Sequence, residues 1–244
     1  MELKLRMAEK NDGSNKHLHD GHRNRMREKF MKTGFDNMED HEILEMMLFY
    51  CIPRKDTNET AHILLNSLGT LVDVFEAPTD SLESYGLSHN AAVYIKMITA
   101  FCRKYYIDKT KNKSFNLHGG NIQERIYPQF IGINDHERLV MLLVDTHGRE
   151  LYSGVVSDGS LSNLTADIKK MQELSLKYHA WGAIIAHNHP SGLPVPSKSD
   201  IEMTRLLKEK LSAINVQLLD HFIVCGQDCV SMAMDEEYED IFYE

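Results

Sequence analysis

Apolar positions follow two different spacings along the chain, and the spacing changes near residue 110. From about Asp20 to Asp108, apolar residues recur with a period of about 3.6, which is typical of amphipathic helices. No alternating strand pattern occurs in this half. The spacing predicts helices over Glu39–Tyr50, Thr57–Asn66, Thr79–Tyr85 and Asn90–Tyr106. The first half is therefore predicted to be all-helical.

The second half contains short apolar runs between helical stretches. Leu139–Val144 and Ala183–Ala186 are continuous apolar runs, which predict buried strands. Thr146–Arg149 predicts a turn into a returning antiparallel strand. The other predicted elements are strands over Glu150–Val156 and Gln217–Val224, and helices over Asn163–His179 and Ser199–Leu211. Strands that alternate with helices predict an α/β (α+β) domain.

These two patterns define a domain organisation. Residues 1–19 are polar and are predicted to form a disordered tail. Residues 20–108 form the helical domain, and residues 122–244 form the α/β domain. The polar stretch 109–121 lies between them, contains Gly119 and Gly120 and lacks an apolar run, so it is predicted to be a linker.

Composition narrows the class of protein. The 244 residues include 27 basic and 36 acidic side chains, for a net charge of -9, which argues against non-specific coating of nucleic acid. The longest apolar runs fall far short of the roughly 18 residues that cross a bilayer, so no membrane association is expected. The N-terminus has no apolar signal segment, and only four cysteines occur. A cytoplasmic protein with free thiols is expected.

Most of the candidate metal-ligating residues lie in one segment, residues 183–200, with the sequence A-I-I-A-H-N-H-P-S-G-L-P-V-P-S-K-S-D. His187 and His189 follow a buried strand at a spacing of two, which turns both rings to one side of an extended backbone. Ser197 and Asp200 have the S-x-x-D form of a helix-starting capping box. Such a box would bring a carboxylate back towards the imidazoles. Two histidines and one carboxylate are a common catalytic zinc set.

Simpler interpretations exist for each part of this pattern. A single histidine at a strand end is usually structural, and S-x-x-D is more often a plain helix cap than a source of ligands. The occurrence of the H-x-H pair and the S-x-x-D pattern in one short segment favours a metal site. Zinc deaminases, which use H-x-E with P-C-x-x-C, are excluded because Asn188 follows His187 and no P-C-x-x-C occurs. His221, on a core strand, is predicted to be structural.

The motif H-N-H-P-S-G at residues 187–192, with Pro196, Ser197 and Asp200, resembles the signature of the RadC family. The strand L-L-D-H-F-I-V at Leu218–Val224 and the position of Glu137 extend the likeness. The resemblance implies a JAB/MPN domain, a cytidine-deaminase-like three-layer fold. It also implies that this domain follows a small helix-hairpin-helix-like helical domain.

The resemblance further implies a function and roles for the site residues. His187, His189 and Asp200 would bind Zn²⁺, which lowers the pKa of a water molecule towards about 7. Ser197 would donate a hydrogen bond to the developing oxyanion, and Glu137 would be the general base and acid. The implied function is that of a zinc-dependent metallohydrolase of the JAMM metalloprotease type. Its substrate would be an unidentified peptide or amide carrying an amide or isopeptide bond. Alternatively, Glu137 is an exposed glutamate at a strand edge.

Several positions depart from the family pattern. Gly154-Val155 and the segment 164–167 (L-T-A-D) differ from the family beside the implied cleft, which puts the substrate preference in question. The hairpin at residues 83–90 has one glycine, Gly86, and no lysine, so DNA binding through the helical domain is expected to be weak. Two alternatives to the hydrolase therefore stay open: a DNA-associated repair or recombination factor, and a non-catalytic partner-binding module.

Overall fold

The computed structural model describes residues 21–53, 55–111, 117, 122–159, 164–190, 192–226 and 228–243. The predicted disordered tail and most of the predicted linker lie outside these residues. The chain divides into two compact units, an N-terminal unit, Met1–Ile98, and a C-terminal unit, Thr99–Glu244. The division falls inside a helix that runs to Lys111, three residues into the predicted linker. The domain boundaries drawn from the sequence stay a prediction.

The N-terminal unit is helical, as the apolar spacing predicts. Its helices are α1 (residues 21–33), α2 (Asp40–Leu48), α3 (Asn58–Leu68), α4 (Leu71–Glu76), α5 (Thr79–Ser84) and the start of α6 (His89–Lys111). Helices α1 and α4 are not among the helices predicted from the sequence. Thr70 and Asp73 form a reciprocal capping box at the start of α4, in which the Thr70 side chain accepts from the Asp73 N–H. This T-x-x-D pattern is a sequence signal for a helix start.

A buried carboxylate ties the first three helices together. Glu45 on α2 has a side chain that is only 2% exposed, and its Oε1 lies 3.0 Å from His22 Nε2 on α1. Its Oε2 accepts a hydrogen bond from Asn58 Nδ2 on α3 at 2.9 Å. Thr57, which precedes α3, donates to the Glu45 carbonyl at 3.3 Å. Because buried polar groups are costly without partners, these bonds hold α1 and α3 against α2.

The C-terminal unit is built on one five-stranded mixed sheet. The strands are β1 (Arg138–Val144), β2 (Glu150–Asp158), β3 (Gly182–Asn188), β4 (Gln217–Cys225) and β5 (Asp228–Ser231), in the spatial order β2-β1-β3-β4-β5. The pair β3 and β4 is parallel, and the other neighbours are antiparallel. The predicted strand pair around the turn at Thr146–Arg149 is confirmed. Strand β3 occupies the centre and is buried along its whole length.

Helices cover both faces of the sheet. Helices α8 (Leu164–Lys177) and α9 (Lys198–Ser212) pack on one face, in a core that includes Met171, Ile185 and Leu207. Helix α7 (Ile122–Ile126) and a 3-10 turn (Tyr127–Phe130) pack on the other face. A short α10 (Asp240–Tyr243) follows β5. The three-layer α+β arrangement expected from the sequence is confirmed.

Two further features of the described residues bear on the sequence expectations. Within the described ranges, no helix combines the length and the apolar character that a membrane span requires. All four cysteines are free thiols, and Cys102 is exposed to solvent.

Candidate metal centre

The two histidines of the H-N-H motif lie where β3 leaves the centre of the sheet. His187 pairs with Leu139 of β1 and Ile223 of β4, and its side chain is fully buried. His189 lies one residue beyond β3, where its N–H donates to the Val224 carbonyl at 2.8 Å. The backbone of both histidines is therefore held by neighbouring strands.

Asp200 reaches the histidines because a capping box starts α9. The Ser197 Oγ accepts from the Asp200 N–H at 3.2 Å, and Asp200 Oδ2 accepts from the Ser197 N–H at 2.8 Å. The Ser197 hydroxyl donates to the same Oδ2 at 2.6 Å. The predicted capping box is confirmed, and it fixes the Asp200 carboxylate in the first turn of the helix.

The side chains of three candidate ligand residues converge at this point. His187 Nε2 lies 2.9 Å from His189 Nε2 and 3.2 Å from Asp200 Oδ1, and His189 Nε2 lies 3.3 Å from Asp200 Oδ2. Donor atoms on a tetrahedral zinc ion, with bonds of about 2.0–2.1 Å, are about 3.3 Å apart. Within the described ranges, these three residues are the group whose ligand atoms could hold a metal ion. The donor types and their spacing fit a divalent cation.

The protonation pattern of His189 also suits a ligand. Its Nδ1 lies 3.0 Å from the Leu193 carbonyl, which can only accept, so Nδ1 carries a proton. In the neutral ring, Nε2 then presents a lone pair to the centre. Both the N–H and the hydroxyl of Ser197 donate to Asp200 Oδ2, which favours the ionised form of this carboxyl. Asp200 is therefore a carboxylate at neutral pH.

A second layer of polar residues lies behind His187 on β4. His221 is fully buried, and its Nε2 lies 2.8 Å from His187 Nδ1. The Asp220 carboxylate accepts from the His221 N–H at 2.7 Å and from the Ala233 N–H at 3.0 Å, and it accepts from the Ser231 hydroxyl at 2.6 Å. The sequence prediction that His221 is structural missed this contact. The motif contains no signal for it, because the two histidines meet only through the register of β3 and β4.

Asn188, between the two histidines, faces the other side of β3. Its Oδ1 accepts from the Arg138 N–H at 2.7 Å, and its Nδ2 donates to the carbonyls of Ile133 and His136 at 3.0 Å each. Asn188 thus holds residues 133–138 against the end of β3. That segment carries Glu137, so the asparagine of the motif connects the candidate base to the candidate ligands.

Glu137 is not part of the group of converging ligand residues. Its carbonyl accepts from the Gly159 N–H at 2.9 Å. Among the described residues, its carboxylate makes no hydrogen bond or ion pair. Because Leu139 pairs with His187, an extended continuation of β1 would place the Glu137 side chain on the face that carries His187. The structure therefore brings together His187, His189, Asp200 and Ser197, and it leaves the catalytic role of Glu137 a prediction.

Solvent reaches the centre from the His189 side. The His189 side chain is 16% exposed and that of Asp200 is 9% exposed, whereas His187 is closed off. Beside His189, the loop before α9 exposes Leu193 to 72% and Val195 to 55%. The accessible side of the centre is therefore formed by His189 and this apolar edge.

Several basic residues of the N-terminal unit are engaged within the chain. The Arg23 guanidinium lies 4.6 Å from the Phe49 ring centroid and donates to the Ile52 carbonyl at 3.1 Å. Lys29 pairs with Glu42 at 2.7 Å. In the hairpin between α5 and α6, Gly86 adopts a φ of 97°, a conformation that favours glycine. These contacts give Arg23 and Lys29 structural roles, and DNA binding stays a prediction.

Comparisons with known proteins point to one family. The family model of the RadC-like JAB domain matches residues 121–238. A UPF0758 protein of Fusobacterium nucleatum subsp. nucleatum is 33% identical over 211 residues, which cover 84% of this chain and 91% of the relative. A UPF0758 protein of Burkholderia cenocepacia is 28% identical over 210 residues, which cover 86% of this chain and 81% of the relative. The chain belongs to the RadC family, and its C-terminal unit carries the RadC-like JAB domain.

Proposed function

We propose that the protein is a zinc-dependent hydrolase that cleaves an amide or isopeptide bond. The observation that carries this proposal is the convergence of His187 Nε2, His189 Nε2 and an Asp200 carboxylate oxygen at the open end of β3. Two neutral imidazoles and one carboxylate leave a fourth position of a tetrahedral ion for water or substrate, which distinguishes catalytic from structural zinc sites.

A zinc ion held by His187, His189 and Asp200 would supply Lewis acidity for the activation of water and of the substrate carbonyl. The proton transfers are carried out by a protein side chain. Glu137 takes a proton from the attacking water on a carboxylate oxygen and delivers it to the leaving amine nitrogen. Its carboxylate has no other partner within the described ranges, so it is available for this transfer.

Ser197 has a more constrained role. Its hydroxyl proton is on the bond to Asp200 Oδ2 at 2.6 Å, so donation to a substrate oxyanion requires the hydroxyl to rotate away from the carboxylate. The Ser197 N–H would still hold Oδ2 during that rotation. Ser197 therefore orients Asp200 in the resting site and stabilises the oxyanion during reaction.

The surroundings favour a peptide-like substrate. Leu193 and Val195 offer apolar contact beside the most exposed ligand, His189. An extended peptide or the linkage region of an isopeptide could pack there while its carbonyl faces the centre. A small polar amide would gain little from these two side chains.

Metal content tests the site. Purified protein loaded with zinc and dialysed should hold one zinc ion per chain, and His187→Ala should hold none because it removes the buried ligand. His147→Ala, which changes an exposed histidine in the turn after β1, should keep the ion. Zinc retained at full stoichiometry by His187→Ala would overturn the assignment.

Turnover tests the reaction. Zinc-loaded protein should release amine from members of a panel of peptide and isopeptide-linked substrates, and Glu137→Gln should slow release by about 10²- to 10⁴-fold. Glu137→Gln should retain its zinc, because Glu137 is not a ligand. Full zinc occupancy without turnover on any substrate would favour the non-catalytic partner-binding alternative.

DNA binding by the N-terminal unit is the other alternative. The tight turn at Gly86 allows a backbone approach to phosphate, but the hairpin lacks a lysine. Binding to branched or single-stranded DNA that weakens steeply with salt would support this function. No binding at low salt would exclude it.

A further inference from the structure

We infer that His221 and Thr204 act as positioning residues that fix the tautomer of His187, so that its Nε2 presents a lone pair to the metal centre. This inference rests on the proposed metal site and adds two residues to it. Both lie outside the H-x-H and S-x-x-D motifs. His221 contacts His187 on the side away from solvent, and Thr204 contacts His221 in turn.

The donor and acceptor of each hydrogen bond can be assigned in turn, starting from Thr204 on α9. The Thr204 Oγ lies 2.5 Å from the Asp200 carbonyl oxygen. A carbonyl oxygen can only accept, so the single hydroxyl proton of Thr204 lies on this bond. The Met232 sulfur, at 3.9 Å from the same hydroxyl, is too distant to compete for the proton.

His221 must then donate to Thr204. Its Nδ1 lies 2.7 Å from the Thr204 Oγ, whose own proton is already committed. The proton between the two groups therefore belongs to His221 Nδ1. The His221 ring is fully buried, and within the described ranges its two nitrogens contact Thr204 and His187 but no carboxylate, so the ring is neutral and its Nε2 has no proton.

The neutral ring of His221 determines the state of His187. Because His221 Nε2 can only accept, the bond of 2.8 Å between the rings requires the proton to lie on His187 Nδ1. The Nε2 atom of a neutral His187 then has no proton and carries a lone pair. This atom lies 3.2 Å from Asp200 Oδ1. The direction of every bond thus follows from the Asp200 carbonyl and from the neutral state of the buried His221 ring.

The tautomers of the two ligand histidines are fixed by different partners. The Leu193 carbonyl takes the Nδ1 proton of His189, at the exposed edge. His187 is buried among β1, β3 and β4, and within the described ranges its Nδ1 partner is the His221 ring rather than a carbonyl. A ring can accept or donate, so Thr204 is needed to make His221 an acceptor. Metal ligands commonly depend on such outer partners, whose loss typically weakens metal affinity by about 10- to 100-fold.

The matched pair Thr204→Val and Thr204→Ser tests this inference. Valine keeps the shape of threonine but removes the hydroxyl, so His221 Nδ1 has no acceptor and the ring turns to the Nε2–H tautomer. That tautomer donates to His187 Nδ1 and leaves a proton on His187 Nε2, which must be lost before metal binds. Serine keeps the hydroxyl and should keep the wild-type state.

Two quantities are measured, the tautomers of the histidines and the affinity for zinc. Long-range ¹H–¹⁵N spectra of the metal-free wild-type protein should show the Nδ1–H tautomer at His187, His189 and His221, and Thr204→Val should shift His187 towards Nε2–H. Competition with a chromophoric chelator should show zinc affinity about 10- to 100-fold weaker for Thr204→Val and within about threefold of wild type for Thr204→Ser. A Nε2–H tautomer at His187 in the wild type would overturn the inference, as would equal zinc affinities of the two variants.

The two readouts also separate this inference from the proposed function. If the wild-type protein shows the expected tautomers but binds no zinc, the metal site fails and the hydrogen-bond assignment stands. If zinc binds but His187 carries its proton on Nε2 in the metal-free protein, only the positioning role fails. Because the spectra need no metal, they stay informative if either variant binds zinc poorly.

Discussion

The asparagine inside the H-N-H motif offers a sharp test of how the site is held together. Asn188→Ala removes three hydrogen bonds that fasten residues 133–138 to the end of β3. The Asn188 side chain is 5% exposed, so water cannot freely replace it. The substitution should loosen the Glu137 segment and leave the metal ligands on the other face of β3 untouched.

The size of the effect follows from which groups lose their partner. The Arg138 N–H and the Ile133 carbonyl belong to buried residues, whereas His136 is more accessible and its carbonyl can find water. A buried polar group left without a partner costs about 1–3 kcal/mol. Two such groups predict a loss of about 2–4 kcal/mol in the free energy of unfolding of the C-terminal unit, allowing for partial relaxation.

Trp181 makes the assay specific to this unit. It is the single tryptophan of the chain and precedes β3, so its fluorescence during urea unfolding reports on the C-terminal unit. Asn134→Ala, an exposed residue of the same segment, is the matched control and should cost less than about 0.5 kcal/mol. Zinc affinity should stay within about threefold of wild type. The reasoning fails if Asn188→Ala unfolds at the same urea concentration as Asn134→Ala.

Two further predictions concern other parts of the chain. Glu45→Ala should destabilise the N-terminal unit by about 1–3 kcal/mol in thermal unfolding followed by circular dichroism, because it strips the partners from His22 and Asn58, whereas the exposed Glu59→Ala should not. In the turn after β1, the pKa of Asp145 is about 2, below the ordinary value near 3.9. The main cause is the backbone hydrogen bond from Arg149. Burial opposes this lowering of the pKa, and further hydrogen bonds add to it. The stabilising contribution of Asp145 is therefore full above about pH 4 and is lost as the pH falls towards 2. The stability difference between wild type and Asp145→Asn should be constant from about pH 5 to 7 and shrink below pH 4; a difference that persists at pH 2 would contradict the assignment.

Local pattern was enough to predict most of the elements. The apolar runs at Leu139–Val144 and Ala183–Ala186 appear as β1, which is longer by one residue, and β3, which is longer by three. The Ser197–Asp200 box starts α9 as predicted, because both of its hydrogen bonds connect residues three apart. Helix α4 was missed although its capping box, a sequence signal for a helix start, was visible.

The parts that sequence reasoning missed depend on contacts distant in the chain. His187 and His221 are 34 positions apart and meet only because β3 and β4 are parallel neighbours in one register. Asn188 reaches back 50 residues to Arg138. Neither contact has a periodic or spacing signal. The strand order that places β3 at the centre of the sheet is likewise a property of the whole domain.

The most direct test of the account is a crystal structure of the zinc-loaded protein, with diffraction measured on both sides of the zinc absorption edge. The account predicts one anomalous peak, about 2.0–2.2 Å from His187 Nε2, His189 Nε2 and an Asp200 carboxylate oxygen. An anomalous peak elsewhere on the chain, or none at this position in fully loaded crystals, would contradict it.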